Sequence, residues 1–149
     1  MIKSLISTTL FFIFLIAPFS LRANESLRFQ APVSYKEKQV VSFVTEQDKT
    51  AQTAYVLTPI DLNDDAIFEY IVRPQGADIC RPNKLCPHFI IAFQERQPIM
   101  IGQFDAHKML VSGKKDYGIR QIIVYNNSYN DFENSTARWT PFAFRFELP

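Results

Sequence analysis

"HFIIAFQERQPIMIGQF", residues 88 to 104, decides the fold. His88 to Gln94 and Pro98 to Phe104 are two short runs rich in Ile and Phe, joined by Glu95-Arg96-Gln97. Each run is shorter than the roughly 10 residues of a typical helix, and a connection this brief is a hairpin length. "HFIIAF" also puts apolar residues on both faces, which predicts a central strand covered from both sides.

Outward from this hairpin the same signal repeats. "AYVLTPI" (54–60) and "IFEYIVR" (67–73) flank an acidic turn. "KMLVS" (108–112) and "IRQIIVY" (119–125) flank "GKKDYG" (113–118), a predicted turn with Gly at both ends. "IRQIIVY" is apolar on both faces and reads as a second central strand. "FAFRFEL" (142–148) sets Phe142, Phe144 and Phe146 on one face, with Arg145 and Glu147 on the other. Upstream, Ser34 and Glu37 have capping-box spacing. Val40, Val41, Phe43 and Val44 follow at helical spacing, so a helix is expected over about Tyr35–Gln47, with Lys36, Glu37 and Lys38 facing water. The expected class is α+β: an antiparallel sheet of about six to seven strands with one N-terminal helix packed on it.

The first 23 residues read as a secretory signal peptide and not as part of the fold. Lys3 gives a positive start, Leu5 to Ala17 is a short uncharged apolar run, and Ala23 closes an "LRA" cleavage site. The run falls short of the roughly 20 apolar residues of a spanning helix, and no later segment is long enough. Residues 24–149 then form a single exported domain, placed in the periplasm and peripheral to the membrane at most. Over the whole chain 16 Lys and Arg face 15 Asp and Glu, and the leader carries away Lys3 and Arg22. So even a balance, with basic residues scattered, gives no electrostatic case for nucleic acid or anionic lipid.

Cys80 and Cys86 are the only cysteines. An even count in an exported chain favours a disulfide, and Pro82 and Asn83 supply the turn that would bring the two together. The rival is a metal site with His88 and His107, but C-x5-C-x-H matches no common zinc spacing.

The acidic turn, "DLNDDAIFE" (61–69), alternates Asp61, Asn63 and Asp65 and ends on Glu69. Calcium takes oxygen ligands from alternating loop positions. The stretch resembles the D-x-[DN]-x-D-G-x-x-[DE] loops of FG-GAP and VCBS-type secreted proteins. The resemblance covers nine residues and implies Asp61, Asn63, Asp65 and Glu69 as Ca2+ ligands in a structural site joining two strands. Ala66 stands where those loops carry Gly, and a positive φ there costs an alanine about 1 kcal/mol. Val72 stands where an EF-hand carries its bidentate Glu, which excludes an EF-hand. The alternative is a metal-free turn whose Asp and Asn side chains bond to the local backbone.

Residues 126–141, "NNSYNDFENSTARWTP", show no periodicity and carry the only tryptophan. Tyr129, Phe132, Arg138 and Trp139 give this segment the composition of an interface hot spot, so it is the expected partner-binding loop. The bland alternative has Trp139 capping the core. No catalytic residues are assigned: there is no H-E-x-x-H, no G-x-S-x-G and no phosphate-cradling loop. Asp105, His107 and Ser112 supply triad residue types, but a triad is defined by spatial roles, and surface polar groups are the simpler reading. The functional expectation is a periplasmic protein that binds another envelope protein, as an inhibitor, an immunity protein or a secretion-system accessory. In outline the chain looks like small proteins of those classes, including periplasmic partners of type VI secretion systems. The alternatives are a small envelope-polymer hydrolase, with Asp65 and Glu69 as a carboxylate pair, and a calcium-stabilised structural module.

Overall fold

Ser34 opens α1 (Tyr35–Gln47), the one α-helix among the described residues, over the range its spacing predicted. Its hydroxyl accepts from the Glu37 N–H, and the Glu37 carboxylate turns back to accept from the N–H groups of Val33 and Ser34 at 2.8 Å each. That reach takes Glu37 out of water: it is buried, where the sequence placed it on the wet face. The ammonium of Lys36 likewise lies 4.4 Å from the Phe93 ring centroid instead of facing away. Val40 and Val44, one turn apart, are fully buried.

The structure, a computed structural model, describes residues 23–48, 54–76, 80, 85–126, 134–141 and 143–149. Residues 1–22 of the expected 23-residue leader, the turn residues Pro82 and Asn83, and Tyr129, Phe132 and Phe142 lie outside them. The strands are β1 (Glu25–Ser26), β2 (Tyr55–Ile60), β3 (Glu69–Pro74), β4 (Cys86–Gln94), β5 (Gln97–Ala106), β6 (Lys108–Asp116), β7 (Ile119–Tyr125), β8 (Asn134–Thr140) and β9 (Arg145–Glu147).

The fold is α+β and every strand pair is antiparallel, but the strands divide between two sheets. One runs β2-β3-β4-β5 and the other β1-β6-β7-β8-β9. The division falls at His107, the single residue between β5 and β6, whose N–H already bonds to Tyr125 of the second sheet. The β4–β5 hairpin forms as expected, with Phe93 opposite Pro98 and Gln94 opposite Gln97. Its turn is only Glu95 and Arg96, both at positive φ.

Three layers result. Leu57, Tyr70, Val72, Phe89 and Ile91 on one face of the four-stranded sheet bury Val40 and Val44 of the helix. Ile71, Ile90 and Phe104 on the other face meet Val111, Ile122, Val124, Ala137 and Phe146 of the second sheet. β4 is therefore covered on both sides, because Phe89 and Ile91 serve one core and Ile90 the other. Gly102 eases the close approach of β5 to β9: a Cβ there would sit 3.0 Å from Ile90 Cδ1 and 3.3 Å from Phe146 Cβ, so both neighbours would have to give.

Three local expectations are corrected. Lys114 and Lys115 belong to β6 and not to a turn, since the reversal is only Tyr117-Gly118. The second half of the aperiodic segment is strand β8, held by pairing with β7 and β9. Phe146 is buried while Phe144 is turned out to solvent, so those two do not share one covered face.

Candidate functional site

The acidic turn joins β2 to β3, and its side chains act on its own backbone. Asp61 Oδ1 accepts from the N–H groups of Asp64 and Asp65 at 2.7 and 3.2 Å, and Oδ2 accepts from Ala66 at 3.0 Å. Asn63 Oδ1 accepts from the Asp65 N–H, and its amide donates to Asp65 Oδ2. Asp65 Oδ1 takes the Ile67 N–H at 2.7 Å, and Glu69 Oε2 takes that of Leu62 at 3.0 Å. Asp64 and Ala66 both adopt left-handed backbone, with φ of 63° and 64°. Side chains bonded to the local backbone are what the turn needs with or without a cation. Among the described residues no group of three or more Asp, Glu, His or Cys side chains is placed to hold a metal ion.

The loop's visible task is to tie the sheets together. Leu62 is buried in the inter-sheet core, its carbonyl accepts from the Arg120 N–H at 2.7 Å, and Asp64 pairs with Lys115 of β6. Glu69 carries a cost. Burial pushes its carboxyl above the ordinary range despite the Leu62 N–H, and the charges of Asp65 and Asp61 push it the same way.

Arg138 and Trp139 fall on neighbouring positions of β8. Trp139 is half-buried, edge-on to Phe146 at 5.4 Å between centroids and to Phe144 at 5.2 Å. Arg138 points outward, its Nε 3.9 Å from Asp116 Oδ2. A shallow cleft of about 520 Å³ runs from Trp139 and Arg138 to Lys115, Asp116 and Tyr117 of the β6–β7 hairpin. Tyr117 is 78% exposed and Phe144 61% exposed. Both hold positive φ, 52° and 54°, a conformation disfavoured for bulky side chains. Neither aromatic stands out in the sequence as a binding residue: Phe144 reads there as part of an apolar strand face and Tyr117 as part of a turn. The Gly that follows Tyr117 was the one available sign, because two-residue hairpin turns need φ > 0 at one or both positions.

Cys80 and Cys86 are joined, with Cα atoms 4.8 Å apart, which anchors Cys80 to the first residue of β4. Neither sulfur is left for the rival metal site. Asp105 is exposed on β5, His107 sits at the crossover, and Ser112 is buried on β6 with its hydroxyl accepting from the Lys114 N–H. No hydrogen bond joins any two of them among the described residues.

No family model, curated protein or solved structure matches this chain. The described residues include no helix long and apolar enough to cross a membrane. A disulfide is compatible with an exported protein.

Proposed function

We propose that this is a periplasmic protein that acts by binding another envelope protein, through the surface formed by Tyr117, Arg138, Trp139 and Phe144. The observation that carries this reading is the pair of exposed aromatics held in left-handed backbone beside Trp139. An exposed bulky residue at positive φ costs about 1–3 kcal/mol and returns no burial. Such strain collects at binding sites, and aromatic side chains with Arg carry most interface energy. Asp116 and Arg138 at the rim add polar groups that would set the orientation of a partner. Tyr129 and Phe132, in the segment that leads into β8, extend the same aromatic composition. The disulfide and the leader support the periplasmic address.

The test is affinity purification from a periplasmic extract with the wild type, Arg138→Ala, and the double variant Tyr117→Asn with Phe144→Asn. Asn suits positive φ, so the fold should survive while the aromatic surface is lost. Proteins recovered by the wild type and lost by both variants are the expected result. Equal recovery by all three would remove this surface from the function, and turnover of a wall polymer by the purified protein would favour a hydrolase.

A further inference from the structure

Arg73 and His88 occupy places in the fold that pattern alone would fill with apolar residues. On β3, Ile71 faces the inter-sheet core and Arg73, two residues on, shares that face. On β4, Ile90 faces the same core and His88 shares its face. The two polar side chains therefore meet at one end of the sandwich, with Phe29 between them. Its ring centroid lies 4.5 Å from the guanidinium carbon and 5.9 Å from the imidazole centroid.

Each of the two keeps a nitrogen without a protein partner among the described residues. Arg73 Nε is buried without a hydrogen-bond partner, and no carboxylate pairs with this guanidinium among the described residues. Buried donors are ordinarily matched, so an unmatched one marks a place where something else supplies the acceptor. His88 Nδ1 sits 2.7 Å from the Cys86 carbonyl, which only accepts, so Nδ1 carries the proton. Nε2 is then a lone pair, with no protein donor against it among the described residues. Burial pushes the imidazole down to about 4, with the Arg73 charge acting in the same direction, so the ring is neutral at neutral pH.

Both side chains line a cleft of about 210 Å³ with Ser26, Leu27, Phe29, His107, Lys108 and Met109, and among the described residues no acidic one lines it. At about 30 Å³ per water the space equals about seven waters, room for a small organic acid. Phe29 covers one face of the guanidinium, which leaves its in-plane edge, the geometry that grips a planar carboxylate. Leu27 and Met109 offer nothing to the oxygens of an inorganic anion and suit a carbon skeleton.

We propose that this cleft binds a small organic carboxylate bearing an adjacent hydroxyl or N–H, the carboxylate on Arg73 and the donor on Nε2 of His88. Lys108 at the rim adds long-range attraction. An inorganic anion meets the apolar Leu27 and Met109 walls and, at His88, an Nε2 that accepts and does not donate; the polar lining that Ser26 and His107 add is outside that pairing.

The test is NMR of the His88 ring nitrogens in the full exported domain at neutral pH, titrated with racemic lactate, propionate and inorganic phosphate. Lactate should shift the Nε2 resonance saturably in the millimolar range, with propionate about fivefold weaker for want of the hydroxyl and phosphate weaker still. Arg73→Gln should weaken lactate about tenfold or more while amide dispersion stays native. Should that variant not fold, Lys108→Ala on the exposed rim decides, with an expected loss of about threefold. No saturable shift by lactate at about 50 mM would overturn the proposal, as would tighter phosphate binding or unchanged affinity in a folded Arg73→Gln.

Discussion

Arg120 Nη1 donates to Glu25 Oε2 at 2.9 Å, so a guanidinium only 2% exposed is neutralised by the second residue after the predicted cleavage site. Its Nε and Nη2 donate to the carbonyls of Ser112 and Val111. β1 is only two residues long, and this pair fastens it to β6 and β7.

Glu25→Ala should therefore destabilise by about 1–2 kcal/mol, below the scale of a fully buried pair because the carboxylate is half exposed to solvent. Arg120→Leu should cost about 3 kcal/mol, since it also strips two buried carbonyls of their donor. Urea unfolding of both variants and the double mutant checks the coupling. Additive effects would mean that the pair does not act as a unit.

His88 makes stability sensitive to acid. Burial, first, and Arg73 hold its folded value down to about 4, below the ordinary value of about 6.5. The contribution is complete above the unfolded value and is lost as pH falls through the folded one. Stability should drop by roughly 3 kcal/mol between about pH 6.5 and about pH 4. His88→Gln keeps a donor for the Cys86 carbonyl and cannot titrate, so its pH profile over that window should be flatter. An unchanged slope would place the acid sensitivity elsewhere.

The helix and the central strands were legible because their signals are local. Ser34 and Glu37 satisfy each other within one turn, and β4 has too many apolar residues for one face. β8 was not legible, because "NSTARWT" buries only Ala137 fully and becomes a strand through its partner, Ile122 of β7. Nor does any residue type announce the change of sheet at His107, a single position inside a continuous β-rich run. The burial of Glu37 could have been foreseen, since a carboxylate that reaches back to the N-cap cannot also face outward. The positive φ at Ala66 was foreseen from the calcium-loop pattern and is present. The side chains around it turn to the backbone all the same, because loop amides need acceptors whether or not a cation is near.

The acidic turn should therefore be improvable. Ala66→Gly removes a left-handed alanine and should stabilise by about 0.5–1 kcal/mol. Glu69 has its folded value raised by burial and by Asp65 and Asp61, so it disfavours the folded state once pH rises above the ordinary glutamate value of about 4.3. Glu69→Gln can still accept from Leu62 and should be at least as stable as wild type at neutral pH, with the advantage fading in acid. Thermal melts with chelator and with calcium check both variants. A large calcium-dependent rise in wild-type Tm, lost in Glu69→Gln, would show that the loop rearranges into a cation site.

Trp139 and Phe144 pack edge to face yet should answer mutation in opposite ways. Trp139 is half-buried and leans on Phe146, whose side chain reaches the inter-sheet core. Trp139→Ala should lower stability by about 2–3 kcal/mol, less than a fully buried aromatic loses. Phe144 is mostly in solvent at φ 54°, so Phe144→Asn trades a strained aromatic for a residue that accepts this backbone. Its stability should change by no more than about 0.5 kcal/mol, or rise. Partner capture should nevertheless fall about tenfold, because the exposed ring is where contact area is won at small entropic cost. Melts and binding measured on the same preparations separate the two roles. If Phe144→Asn loses as much stability as Trp139→Ala, the ring supports the fold and the strained backbone needs another explanation.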